Sequence, residues 1–146
     1  MTIPIKKYDN FPLGSIWRKW DMQTHAPLGK IYDGYKTDDA SGVLDKFCDE
    51  VENSDVQVFG ITDYFSSGGF DTFIERFQKK YPGSKKSFFF NLELRLNETV
   101  NQALEEVNVH LVFNPSSFNK VGKFLSMLSV VKTGKDETPI MCSELK

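Results

Sequence analysis

The side chains best placed to do chemistry are the two histidines, His25 and His110, and two acids beside or within apolar runs, Asp63 and Glu93. His25 lies near the end of Trp20-Asp21-Met22-Gln23-Thr24-His25-Ala26-Pro27, where Asp21, Gln23 and His25 fall on alternate residues. A strand has a side-chain period of two, so these three are expected to share one face. Ala26-Pro27 then stops the strand. Asp63 follows the almost continuously apolar Val56-Gln57-Val58-Phe59-Gly60-Ile61-Thr62. Glu93 lies inside a third apolar run, where a carboxylate is rarely buried without a partner. His110 stands among Val109, Leu111, Val112 and Phe113. Mixed imidazole and carboxylate ligands suit Zn²⁺, Mn²⁺ or iron, and a multi-ion site of this kind polarises a phosphate and activates water. Each residue also has an ordinary structural reading. His25 fits a solvated strand end, Glu93 a solvent-facing acid or a partner of Arg95, and His110 a hydrogen-bonded core imidazole. No single spacing is diagnostic; the agreement of four strand ends is what singles the set out.

The elements that must position these groups follow from periodicity. Residues 15–23 read as the first strand, with Ile16 and Trp17 as its core anchors. A loop over 24–37 carries Lys30, Tyr32 and Lys36, which can flank a site. Asp38 and Asp39 offer an N-cap to a helix running to about Glu52, whose apolar face is Val43, Leu44, Phe47, Cys48 and Val51. Residues 56–62 form the second strand, with the composition of one covered on both faces. A flexible turn at 66–69 leads to a helix over 70–81 with Phe70, Phe73, Ile74 and Phe77 on one side, ended by Pro82-Gly83. The third strand covers 87–96 and the fourth 107–113; the segment 97–106 between them fits either a short helix or a hairpin. A third helix shows the stripe Phe118, Val121, Leu125, Leu128. Strands alternating with helices predict α/β architecture with βαβ units and a parallel sheet or barrel. The β-β step between the third and fourth strands departs from that alternation.

Length and composition fit one soluble domain: 40% hydrophobic residues, 26% charged, and thirteen Phe to fill a core. It divides into an N-terminal arm (1–14), an α/β domain (15–129) and a polar tail or continuation (130–146). A net charge of −2 excludes a global basic field for nucleic acid and leaves local patches as the means of contact. Cys48 and Cys142 lack metal-type spacing, and Cys48 falls on a helix face as a buried small hydrophobe. The absence of a secretory segment at the start implies a reducing, cytoplasmic setting. No apolar run is long enough to span a bilayer.

Four short segments carry a resemblance. Asp21-Met22-Gln23-Thr24-His25-Ala26-Pro27, Ile61-Thr62-Asp63-Tyr64, Asn91-Leu92-Glu93 and Val109-His110-Leu111-Val112-Phe113 resemble the first four motifs of PHP (polymerase and histidinol phosphatase) domains, which are metal-dependent phosphoesterases. Trp17-Arg18-Lys19-Trp20-Asp21 is most similar to PHP domains that work with SMC-like ATPases on nucleic acids. The resemblance implies a distorted (β/α) barrel with its metal site at the carboxyl ends of the strands. This chain would supply the front part, an incomplete barrel of about four mainly parallel strands with three helices. It further implies His25, Asp63, Glu93 and His110 as ligands of Mn, Zn or Fe, with Glu93 bridging two ions. Arg95 or a loop lysine would neutralise the substrate phosphate, so Asp63, Glu93 and Arg95 are the expected catalytic set.

The chain departs from the family pattern at two ligands and in length. Gln23 stands where the first motif has its first His, and Tyr64 where the second motif has its His. Both are poor ligands, and their presence predicts weakened or lost metal binding. The chain also carries about four strands, fewer than the family barrel, as expected of a fragment of a longer protein or a shortened relative. An open half barrel leaves an unpaired strand edge, which an ATPase partner or an oligomer would cover. Two functions are therefore expected in competition. One is a phosphoesterase acting on a nucleotide or nucleic-acid end. The other is a pseudoenzyme that keeps the fold and serves as a docking platform. A small α/β fold of unrelated descent, with these residues purely structural, is the third reading.

Overall fold

The computed structural model describes residues 17–29, 34–35, 38–99, 106–130 and 139–142, with the backbone alone at 97–99 and 106. In chain order they form β1 (Trp20–His25), α1 (Ala40–Asn53), β2 (Val58–Tyr64), α2 (Gly68–Lys80), β3 (Ser87–Thr99) and β4 (Glu106–Phe113). A 3-10 helix (Pro115–Lys120) and the short α3 (Val121–Leu125) follow, then β5 (Ser129–Val130) and β6 (Ile140–Met141). The main sheet has the order β1-β2-β3-β4. Its first three strands are parallel and β4 is antiparallel to β3. The described residues are thus mixed α/β with three α-helices and a mostly parallel sheet, and among them that sheet is not closed into a barrel.

Each parallel pair is joined through a helix. The Asp39 carboxylate starts α1 by accepting from the Gly42 N–H at 2.8 Å, and this helix buries Leu44, Phe47, Cys48 and Val51. α2 buries Phe70, Phe73, Ile74 and Phe77. These faces meet Phe59, Ile61, Phe88, Phe90 and Leu92 from one side of the sheet in a single aromatic core. Phe73 contacts Phe47 and Phe88 edge-on, each at 5.2 Å between centroids, and Phe70 contacts Phe118 at 4.7 Å. Such pairs add roughly 0.5–1.5 kcal/mol beyond their buried area. At the helix rim Arg76 grips both oxygens of Asp45, at 2.6 and 2.5 Å.

Several expectations are corrected. The first strand begins later than predicted, and Trp17 is 98% exposed rather than a core anchor; Ile16 lies outside the described residues. α2 starts at Gly68, so the expected turn at 66–69 is already partly helix. Thr99 pairs opposite Glu106, so β3 and β4 are neighbouring antiparallel strands, as the hairpin alternative for 97–106 expects; residues 100–105 lie outside the described residues. The third helical stripe splits into the 3-10 helix Pro115–Lys120 and α3 (Val121–Leu125). Residues from the expected polar tail return to the fold: β6 pairs with β5, and Cys142 is buried in the core. Lys30, Tyr32 and Lys36 lie outside the described residues.

β1 departs most from its expected geometry. Its register pairs Asp21 with Phe59 and His25 with Thr62, with an irregularity between Asp21 and Thr24. Three steps along β1 there match two along β2, so one extra residue is accommodated. Phe59 and Thr62 are an odd step apart on β2, so Asp21 and His25 fall on opposite faces instead of sharing one. The Asp21 carboxylate accepts from the Gln23 N–H at 3.1 Å within this bulge.

Candidate functional site

The side of the sheet opposite α1 and α2 carries Thr62 and Tyr64 from β2, Asn91, Glu93 and Arg95 from β3, and Asn108 and His110 from β4. The bulge brings His25 onto this side from β1. Glu93 is the centre. It is 0% exposed, and its two oxygens face different imidazoles. His25 Nε2 is 3.3 Å from Oε2, and His110 Nε2 is 3.8 Å from Oε1. The Asn108 amide donates to Oε1 at 2.8 Å, while Oε2 is a buried oxygen with no hydrogen-bond partner among the described residues. A buried carboxylate with one orphan oxygen is costly unless a cation compensates it. Both histidines are partly exposed, so the cluster has a closed floor at Glu93 and an accessible rim.

A shell of further contacts aims these groups. The Tyr64 ring lies stacked on His25, 5.1 Å between centroids, and the Tyr35 hydroxyl donates to the His25 carbonyl at 3.4 Å. Tyr64 therefore occupies the His25 flank as a packing partner. Arg95 is exposed; its Nε donates to Asn108 Oδ1 at 3.4 Å, which links Arg95 to Glu93 through one amide. Asn91 reaches furthest. Its Nδ2 lies 2.7 Å from the Met22 carbonyl, 3.0 Å from Thr62 Oγ1 and 3.0 Å from His110 Nδ1.

Asp63 goes elsewhere. Its side chain lies on the helix-covered side of β2, and its Oδ2 accepts from the Gly69 N–H at 2.8 Å and the Ser66 hydroxyl at 3.2 Å. It thereby caps the start of α2, a duty Ser67 at the N-cap does not perform with its own side chain. Burial pushes the Asp63 carboxyl up, opposed by hydrogen bonds from Gly69, Ser66, Phe70 and Tyr64. Gly69 permits this approach, since a Cβ there would stand only 3.1 Å from Asp63 Oδ2.

No family model, no curated protein sequence and no solved structure matches this chain. The site therefore stands on its own geometry. Of the four expected ligands, the fold brings His25, Glu93 and His110 together and sets Asp63 apart. Gln23 is exposed within the bulge. Among the described residues no three His, Cys, Asp or Glu side chains close around one point as a metal cage. That agrees with the pairwise geometry, in which each oxygen of Glu93 has its own imidazole. Asn91 and Asn108 were not singled out by sequence. Asn91 had a signal: a polar residue inside Phe88-Phe89-Phe90-Asn91-Leu92. Asn108 had none, because an Asn near a strand start is ordinary.

Proposed function

We propose that the Glu93 cluster binds divalent metal and serves phosphoester hydrolysis on a nucleotide or nucleic-acid substrate. The observation that carries this is the fully buried Glu93 carboxylate flanked by His25 and His110, with Oε2 lacking a hydrogen-bond partner among the described residues. Two imidazoles and one carboxylate are a donor set suited to Zn²⁺, Mn²⁺ or Fe²⁺. The residue types suit such an ion: Glu93 would supply a carboxylate, and His25 and His110 would supply imidazole nitrogens, one beside each Glu93 oxygen. When bound, the ion would contribute Lewis acidity toward a phosphoryl oxygen and the attacking water. Glu93 holds the charge balance of the buried floor. Tyr64 keeps the His25 ring in place, and Asn108 orients the carboxylate. Arg95, on the same face of β3 and one alternation further out, meets the substrate phosphate. The phosphoester assignment draws on the PHP resemblance of the four segments.

A second reading has its own support. Asp63 is engaged at α2, and Tyr64 stacks where the PHP pattern has an imidazole. In that reading the chain is a docking module for an SMC-like ATPase or a nucleic-acid complex. No helix among the described residues is long and apolar enough to cross a membrane, so the partner in either reading is met without a membrane-spanning helix from these residues.

Metal content separates the two. The full chain is purified, equilibrated with Mn²⁺ or Zn²⁺, and its bound metal measured alongside hydrolysis of a generic phosphodiester. The enzyme reading expects stoichiometric metal and turnover, both lost in His25→Ala and Glu93→Ala. Folded protein that takes up no metal under any condition supports the docking module.

A further inference from the structure

We propose that Asn91 is the positioning residue of the Glu93 site: by exhausting its amide hydrogens on Met22 and Thr62, it forces His110 to carry its proton on Nδ1 and to present a bare Nε2 to Glu93. Three polar atoms lie near Asn91 Nδ2, namely the Met22 carbonyl oxygen at 2.7 Å, Thr62 Oγ1 at 3.0 Å and His110 Nδ1 at 3.0 Å. A primary amide has two hydrogens. The Met22 carbonyl can only accept, so it fixes the orientation of the amide: turned over, Asn91 Oδ1 would oppose a carbonyl oxygen. Thr62 Oγ1 donates its own hydrogen to the Gly60 carbonyl at 3.2 Å, and so it accepts from Asn91. Both amide hydrogens are then used. What remains for His110 Nδ1 is Asn91 Oδ1, 3.3 Å away, which can only accept. His110 is therefore the donor, and in the neutral ring the other nitrogen is bare.

The consequence lies on the far side of the ring. The bare Nε2 faces Glu93 Oε1 at 3.8 Å, lone pair toward lone pair. That arrangement is unfavourable on its own, and a cation held by these groups would relieve it. The same amide holds the Met22 carbonyl, in the bulge that carries His25 to this face, so one side chain fixes both imidazoles relative to Glu93. The tautomer follows from hydrogen-bond geometry alone; its value for metal binding rests on the function proposed above.

The test reads the tautomer directly. Long-range ¹H–¹⁵N correlation on the metal-free full chain, at about pH 8 where an ordinary imidazole is neutral, is expected to show His110 with protonated Nδ1 and bare Nε2. The opposite tautomer in the wild type overturns the proposal. Thr62→Val removes one acceptor and frees an amide hydrogen for His110 Nδ1, so the Nε2–H form should rise. No change in that variant also overturns it. Asn91→Leu should lose the preference and weaken Zn²⁺ binding about 10–100-fold, the usual cost of removing a group that orients a ligand. If Asn91→Leu does not fold, the wild-type and Thr62→Val spectra still decide. If the wild type shows the expected tautomer yet takes up no metal, the metal function fails and the role of Asn91 in setting the ring stands.

Discussion

Gly60 passes directly beneath the Met22 carbonyl: a Cβ at residue 60 would stand 2.4 Å from that oxygen and 2.9 Å from the Met22 Cα. Both obstacles are backbone, which cannot swing aside as a flexible side chain would. The bulge of β1 therefore lies over β2 only because residue 60 lacks a side chain, and the Asn91 amide fastens it from β3. Gly60→Ala is expected to destabilise the chain by about 1–3 kcal/mol, as overpacking does. It should also weaken metal uptake, because His25 rides on the displaced segment. Denaturant midpoints and a Zn²⁺ titration of the same variant check both effects.

Asp63 gives a prediction that separates capping from ligation. Asp63→Asn keeps an acceptor for the Gly69 and Ser66 donors while removing a carboxyl that burial pushes up. It should be neutral or mildly stabilising at pH 7, with metal affinity unchanged. Asp63→Ala leaves the α2 terminus uncapped and should cost about 1 kcal/mol. A marked loss of bound metal in Asp63→Asn would reassign this residue to the site.

Glu93→Gln should act in opposite directions on stability and binding. Without metal, the substitution removes a fully buried carboxylate whose Oε2 has no hydrogen-bond partner among the described residues. Burying a charge without a full set of partners is costly, and a neutral amide of the same shape avoids much of that cost. The metal-free variant should therefore unfold no earlier than wild type, yet lose stoichiometric metal. Calorimetry with and without Zn²⁺ measures both, since a ligand that binds only the folded state raises its apparent stability.

The acid limb of stability should involve the α1–α2 rim. The Arg76 guanidinium hydrogen-bonded to Asp45 holds that carboxyl below the usual range, and Lys80 and Tyr81 do the same for Asp49. A depressed folded value means that the contribution is fully present above the unfolded value, ~3.9, and is lost as pH falls through the folded value. Both carboxylates are exposed enough for solvent to screen the effect, so the slope should be modest. Arg76→Ala should flatten it, as read from urea midpoints across the acid range.

Much of the fold was legible because burial and periodicity are local. Leu44, Phe47, Cys48 and Val51 show their helical stripe in sequence, and all four are buried. The β-branched and aromatic run of β2 is buried from Val58 to Asp63, as a central strand requires. Burial also pushes the Cys48 thiol up to about 11, in keeping with a core residue rather than a nucleophile. The candidate site was half legible. His25, Glu93 and His110 stood out as polar groups at strand ends and inside strands. Asp63 stood out for the same reason, and local pattern could not tell which face of β2 it would take relative to the others.

What sequence alone determined was the alternation of strands and helices, the core faces, and the residue types able to bind metal. These depend on spacing along one segment. Tertiary structure decided that β1 bulges over Gly60, that β4 turns back antiparallel, that Asp63 serves a helix, and that Asn91 joins Met22, Thr62 and His110. The physical reason is parity: each strand has two faces, and a single extra residue or a reversed strand exchanges them. Which groups share a face is therefore set only when the strands pair.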